Sequence, residues 1–290
     1  MNHRIAWLDV FAERPLAGNA LAVVDDADDV SDEAMLAFAK EMDLSETTFV
    51  QSADADAADY RNRIFTVATE LPFAGHPSLG TAVAVARWRG LDEASFVQQT
   101  GAGLQPIEVR SEGEGWRAEM VQNEPEFGTE LDPEPLMHAA GLNPAEAHQD
   151  LAPQVVSTGL PTAVVPLSEP DSLERVQVDY AAIDAALAGV EPRAGETPNF
   201  YLVWADLDAG EARARMFATL VPGGEDPATG SAAGPLGAYL AERVGLERVR
   251  IRQGEEMGRP SVLEVEIVDG RPRVGGGVIP VIDGEVSLPG

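Results

Sequence analysis

The sequence predicts an α+β protein of two pseudo-symmetric lobes, each a mostly antiparallel, curved sheet around one buried central helix. Two observations carry this. Three stretches recur in the same order about half a chain later. "LAGNALAVV" returns in "QVVSTGLPTAVVPL", "RNRIFTVATELPFAGHPSLGTAVAVARWRG" in "RARMFATLVPGGEDPATGSAAGPLGAYLAERVG", and "FVQQTGAGLQPIEVRSE" in "VRIRQGEEMGRPSVLEVEIV". Ordered matches of this kind mark a duplicated unit. The helix-like part of the second stretch is apolar or small all round in both copies, so it has no face suited to water and must be buried.

The elements follow in order. "RIAWLDVFA" reads as a strand, and "LAGNALAVV" as a turn and a second strand. "SDEAMLAFAKEM" has Ser31 as a cap, acids in its first turn, and Met35, Leu36, Phe38, Ala39 and Met42 on a helical stripe. "ETTFVQS" and "YRNRIFTV" are strand-like, "HPSLGTAVAVARWRG" is a helix ending at Gly90, and "SFVQQT" and "PIEVRSE" resume strand character. The N-terminal lobe is expected over residues 1–122, completed by a C-terminal strand at 278–290. The C-terminal lobe is expected over 123–277, with the proline-rich segment 123–153 as a connector carrying one short helix.

Composition excludes several functions. There is no cysteine, which removes disulfides, thiolate catalysis, zinc–thiolate sites and iron–sulfur clusters. His3, His76, His138 and His148 form no metal-ligand spacing, so no metal is expected. No apolar run approaches the length of a membrane span, and Asp9, Glu13 and Arg14 argue against a signal peptide. The 49 acids outnumber the 20 bases, only one of which, Lys40, is a lysine, for a net charge of −29. Nucleic acids and anionic membranes need the opposite sign. A compact chain with this charge repels itself unless salt screens it, so a cytoplasmic protein of a high-salt cell is expected.

The chemistry concentrates where the two buried helices begin. One copy reads Gly75-His76-Pro77-Ser78-Leu79-Gly80-Thr81-Ala82, the other Glu225-Asp226-Pro227-Ala228-Thr229-Gly230-Ser231-Ala232. Each has a titratable residue just before a proline, so His76 and Asp226 are expected at equivalent places. Small residues leave first-turn N–H groups accessible, and a helix N-terminus holds an anion. Ser78, Thr81, Thr229 and Ser231 are expected to add hydroxyl donors. From these residues alone, Asp226 reads equally well as a plain N-cap worth about 1 kcal/mol, and His76 as a turn histidine. No phosphate loop, nucleophile elbow or dinucleotide fingerprint is present.

The motifs "DVFAERPLAGNALAVV", "LSETTFV", "RIFTVATELPFAGHPSLGTA", "EDPATGSAAGPLGAYL" and "QGEEMGRPS" resemble the PhzF family of phenazine-biosynthesis-like proteins, which share the diaminopimelate epimerase fold. Gly18-Asn19-Ala20 departs slightly from the family's usual Gly-Asn-Pro. The resemblance implies a cofactor-independent isomerase, possible as a homodimer, acting on a small carboxylate in an inter-lobe cleft. Glu46, His76 and Asp226 would handle protons, and Gly75, Ser78, Thr229, Gly230 and Ser231 would bind the anion. The epimerase relatives' dithiol route is closed to a chain without cysteine. The alternatives are a non-catalytic carboxylate-binding protein that kept the cleft, and an epimerase that uses carboxylates. A net charge of −29 predicts a thermal midpoint that climbs steeply from dilute buffer to concentrated KCl; an unchanged midpoint counts against a high-salt protein.

Overall fold

The computed structural model describes residues 2–190, 197–219, 221 and 223–289. Strands dominate and helices are few, a mixed α/β fold. The chain forms two compact units, Met1–Val121 with Gly275–Gly290, and Gln122–Val274. The outermost residues of the expected first lobe, 1 and 290, lie outside the described residues.

The first unit contains β1 (Asn2–Val10), β2 (Asn19–Val24), α1 (Asp32–Met42), β3 (Glu46–Gln51), β4 (Tyr60–Phe65), β5 (Glu70–Leu71), α2 (Gly75–Trp88), β6 (Glu93–Thr100), β7 (Gly103–Glu112) and β8 (Gly115–Val121). The second contains β9 (Glu126–Glu130), α3 (Pro133–Ala139), β10 (Gln154–Ser157), β11 (Pro161–Pro166), α4 (Ser172–Arg175), α5 (Tyr180–Ala186), β12 (Asn199–Asp206), β13 (Glu211–Phe217), β14 (Glu225–Asp226), α6 (Gly230–Val244), β15 (Arg248–Gln253) and β16 (Ser261–Val268). A long strand, β17 (Arg271–Ser287), begins in the second unit and from residue 275 onward belongs to the first.

In the first unit, eight strands close a ring: β1 pairs with β2, then β3, β4, β6, β7, β8 and β17 follow, and β17 returns to β1. Helix α2 runs inside this barrel, against β1, β2, β3, β4, β6, β7 and β8. Every residue from Gly75 to Ala86 is buried, which explains the lack of a polar face. Its small residues are a steric demand: a Cβ on Gly80 would lie 2.5 Å from Leu21 Cδ2 and 2.8 Å from Val10 Cγ2. Outside the barrel, α1 lays Met35 and Ala39 on Phe49 and Phe65. Its N-cap is Ser31, whose Oγ accepts from the Ala34 N–H at 3.3 Å.

The second unit repeats the pairing order. Strands β1 to β7 pair antiparallel, parallel, antiparallel, with β5 on β4, then parallel and antiparallel. Strands β10 to β16 do the same, with β14 on β13. Helix α6 packs against β10, β11, β15 and β16, and a Cβ on Gly237 would lie 2.5 Å from Val265 Cγ1. Helices α3 to α5 cover the other face through Leu136, Met137, Leu173 and Ile183. Segment 123–153 is more than a connector. Its Glu126–Glu130 stretch is β9, paired with β10. Its mostly exposed residues leave no buried alternation in that stretch for periodicity to detect.

One interaction recurs in both units. Arg63 forks onto Glu70 at 2.8 and 2.6 Å and lies 5.2 Å over the Phe65 ring. Arg215 forks onto Glu225 at 2.8 Å in both arms and lies 5.0 Å over Phe217. Each fork ties the short strand before the buried helix to its neighbouring strand, in the bidentate geometry that is strongest for this pair. Of the described residues, no helix is long and apolar enough to cross a membrane. Gly80→Val is expected to lower stability by about 2 kcal/mol by overpacking the barrel, read as a lower denaturant midpoint with secondary structure retained.

Candidate active site

In the first unit the chain brings Glu46, His76 and Asn19 together. Glu46 opens β3, opposite Leu21 of β2, with its side chain 15% exposed. His76 is the second residue of α2 and is buried. Asn19 opens β2 after Gly18, which sits at φ +66°. A Cβ on Gly18 would come 2.3 Å from the Val10 carbonyl oxygen, so the turn admits only glycine. That turn delivers the Asn19 amide nitrogen to within 3.3 Å of His76 Nδ1.

Burial pushes the His76 imidazole down to about 3, so the ring is neutral at working pH. A neutral ring that accepts from Asn19 at Nδ1 carries its proton on Nε2. Nε2 lies 3.5 Å from Glu46 Oε2. Helix α2 has no side-chain cap at Ala74. The Ser78 hydroxyl, expected to serve an anion, donates to the Ala74 carbonyl at 2.7 Å. Thr81 is likewise engaged, with Thr48 at 2.8 Å. Donors at this helix start are therefore the first-turn N–H groups of Gly75 and His76, ahead of the intrahelical ladder.

In the second unit Asp226 ends β14 and is 6% exposed. Thr229 is the N-cap residue of α6, but its hydroxyl does not cap the helix. It donates to Asp226 Oδ2 at 2.6 Å. Gln253 Nε2 donates to the Asp226 carbonyl at 2.7 Å and to Thr229 Oγ1 at 3.0 Å. Tyr201 donates to Gln253 Oε1 at 3.0 Å. Burial, then the charge of Asp226, hold the Tyr201 phenol protonated well above its usual range. Gly230 starts α6, and its carbonyl accepts from Gln122 Nε2 at 2.9 Å; Ser231 follows, half-buried. Among the described residues no three His, Asp or Glu gather as a metal site would require.

The expected equivalence of His76 and Asp226 is wrong. Register decides it: Glu70 and Leu71 face Phe65 and Ile64, as Glu225 and Asp226 face Phe217 and Met216. The counterpart of Asp226 is Leu71. The matching prolines are Pro72 and Pro227, and the helices begin at Gly75 and Gly230, so His76 matches Ser231. Pro77 lies inside its helix, whereas Pro227 precedes the helix it leads into. The same registers match Glu46 with Asn199. Asn19, Tyr201 and Gln253 were not anticipated in these roles. Asn19 and Gln253 stand beside glycines in "AGNA" and "RQGE", which was the available signal.

A strand barrel threaded by a buried helix, with ionisable groups collected at helix starts, places the molecule in the class of mixed α/β folds shared by PhzF-family proteins and proline racemases. The chain belongs to the PhzF family: the family described as "Phenazine biosynthesis-like protein" matches residues 8–284. Trans-2,3-dihydro-3-hydroxyanthranilate isomerase of Pseudomonas aeruginosa is 36% identical over 270 residues, 89% of this chain and 88% of that relative. The solved structure of a predicted epimerase from Pseudomonas aeruginosa has a TM-score of 0.82 at 38% identity, covering 98% of this chain and 99% of the other. A PhzF-family protein of Bacillus anthracis has a TM-score of 0.85 at 28% identity, with 99% of both chains covered. The protein is an enzyme, an isomerase.

His76 makes stability pH-dependent in a defined direction. The folded ring stays neutral down to about 3, whereas the unfolded histidine protonates near 6.5. The unfolded chain binds the extra proton in that window, so this contribution is present above about 6.5 and is lost as pH falls towards 3. The stability difference between wild type and His76→Gln is expected to shift against wild type by about 2 kcal/mol from pH 7.5 to pH 5. Denaturant midpoints at constant salt measure it, and a constant difference contradicts the buried neutral ring.

Proposed function

We propose that the protein moves a proton on a small carboxylate substrate without a cofactor, with Glu46 as the main proton shuttle. The observation that carries this is the approach of Glu46 Oε2 to Nε2 of the buried, neutral His76 at 3.5 Å. Glu46, as a carboxylate, takes a proton from a substrate carbon, and the electron pair spreads into the conjugated carboxylate. A proton is then returned to a different carbon, so the double bond migrates with no net redox change. A neutral imidazole suits a donor to developing negative charge better than it suits a base. Asp226 is the second proton-handling group in this reading. Gly75 and His76 begin one buried helix and Gly230 and Ser231 the other, and there backbone N–H groups hold the substrate carboxylate; Ser78 and Thr229, expected to add hydroxyls, spend theirs on Ala74 and Asp226.

In this proposal the protein works as a cytoplasmic homodimer, with neither nucleic acid nor membrane as a partner. The compound named for the Pseudomonas aeruginosa relative, trans-2,3-dihydro-3-hydroxyanthranilate, is the first substrate to test. In deuterated water, Glu46→Gln is expected to lose solvent-deuterium incorporation by about 10²–10⁴-fold while still binding the compound. Exchange at the wild-type rate in this variant removes Glu46 from the role. Deuterium uptake with inversion at a single carbon identifies an epimerase instead.

A further inference from the structure

We infer that Gln253 is a positioning residue: held by Tyr201, it makes the Thr229 hydroxyl a donor aimed at Asp226 and so keeps that carboxylate in one rotamer, as an acceptor. The inference rests on the reading of Asp226 as a proton-handling group. It gives a role to the "QGEEMGRPS" stretch, which the proposed chemistry otherwise leaves unused.

The direction of every bond follows from one atom that can only accept. The Asp226 main-chain carbonyl lies 2.7 Å from the Gln253 amide, so the amide nitrogen must face it. The amide oxygen then faces Tyr201, 3.0 Å away, and the phenol donates to it. Thr229 Oγ1, 3.0 Å from the same nitrogen, must accept. Its one proton is thereby directed to Asp226 Oδ2 at 2.6 Å. Tyr201, Gln253, Thr229 and Asp226 are all buried, at 0%, 1%, 6% and 6% exposure. Water therefore competes little for any of these bonds, and such a chain is stronger than the same bonds at the surface.

The backbone supports the same role. Gly254 sits at φ +76°, and a Cβ there would lie 2.5 Å from the Arg259 carbonyl oxygen and 2.6 Å from that of Pro227. The glycine lets the end of β15 rest on the Asp226–Pro227 backbone, which brings Gln253 within reach. The other unit is a natural control. Gly101 approaches Pro72 in the same way, with its Cβ position 3.0 Å from Pro72 Cα. There the residue before the glycine is Thr100, bonded to Gln105, and the residue before Pro72 is Leu71. Where the repeat lacks the acid, it also lacks the glutamine.

The test combines crystallography and kinetics on the full chain. In crystals of Gln253→Met, which keeps length but neither donates nor accepts, the Thr229–Asp226 contact is expected to break and the Asp226 side chain to take more than one rotamer. With trans-2,3-dihydro-3-hydroxyanthranilate as the assay compound, kcat is expected to fall about 10- to 100-fold with KM moved less than about threefold. Thr229→Val should lose a similar factor, Thr229→Ser should retain most of the rate, and Thr229→Val with Gln253→Met should be no worse than either alone. Gln253→Glu keeps the shape but cannot donate to Thr229; it is expected to give the same loss and serves if the methionine variant does not fold. An unmoved Asp226 with its Thr229 contact intact in the variant crystals overturns the inference, as does lower stability with unchanged kcat. If wild type leaves the compound unaltered, the substrate reading fails on its own, and the crystals alone decide the role of Gln253.

Discussion

A helix enclosed by strands can carry chemistry only at its ends. In the first unit, the barrel leaves α2 no solvent face, and its middle turns are small or aliphatic residues, with Thr81 spending its hydroxyl on Thr48. The first turn is different, because its N–H groups have no partner within the helix and its positive dipole end favours negative charge. The fold therefore sets a donor-rich, sterically lean position at Gly75-His76, and again at Gly230-Ser231. Glu46 and Asp226 are set near these positions by the neighbouring strands β3 and β14. The Arg63–Glu70 and Arg215–Glu225 forks tie down the strands that lead into each helix.

The duplication conserved this frame and varied the side chains on it. The first unit has Glu46 and His76 where the second has Asn199 and Ser231. The second has Asp226 where the first has Leu71. Neither copy holds the full set. Such a division is open to a duplicated fold because exchanging one side chain at a strand end disturbs no ladder bond. The forks, the helix-start glycines and the close glycine–proline approaches are shared, since all of them concern backbone geometry.

Much of this was legible in the sequence. Binary pattern and composition located β1 to β4, β6 and β7, the capped helix α1 and the two buried helices, because burial on one face or on all faces leaves a periodic mark, whereas β8 and β12 were not read as strands. Strand β9 left none, its residues being exposed or half-buried on both faces. His76 and Asp226 stood out as titratable groups among small residues. Glu46 did not, since one acid among 49 carries no local signal, and only its resemblance to a family motif singled it out. The proline-based alignment of His76 with Asp226 failed because proline tolerates several positions at a helix start, whereas ladder register tolerates one.

By itself the sequence determined the duplicated α+β plan, the buried helices and the absence of thiol chemistry, all of which depend on residue type and spacing along the chain. Tertiary structure decided that the imidazole is neutral, that Asn19 sets its proton, that Ser78 and Thr229 spend their hydroxyl protons on protein acceptors, and that Gln253 reaches Asp226. These are matters of which polar atoms meet once water is excluded. Residues 27 or 57 positions apart become hydrogen-bonding neighbours only through the folded chain, and no local pattern encodes that meeting.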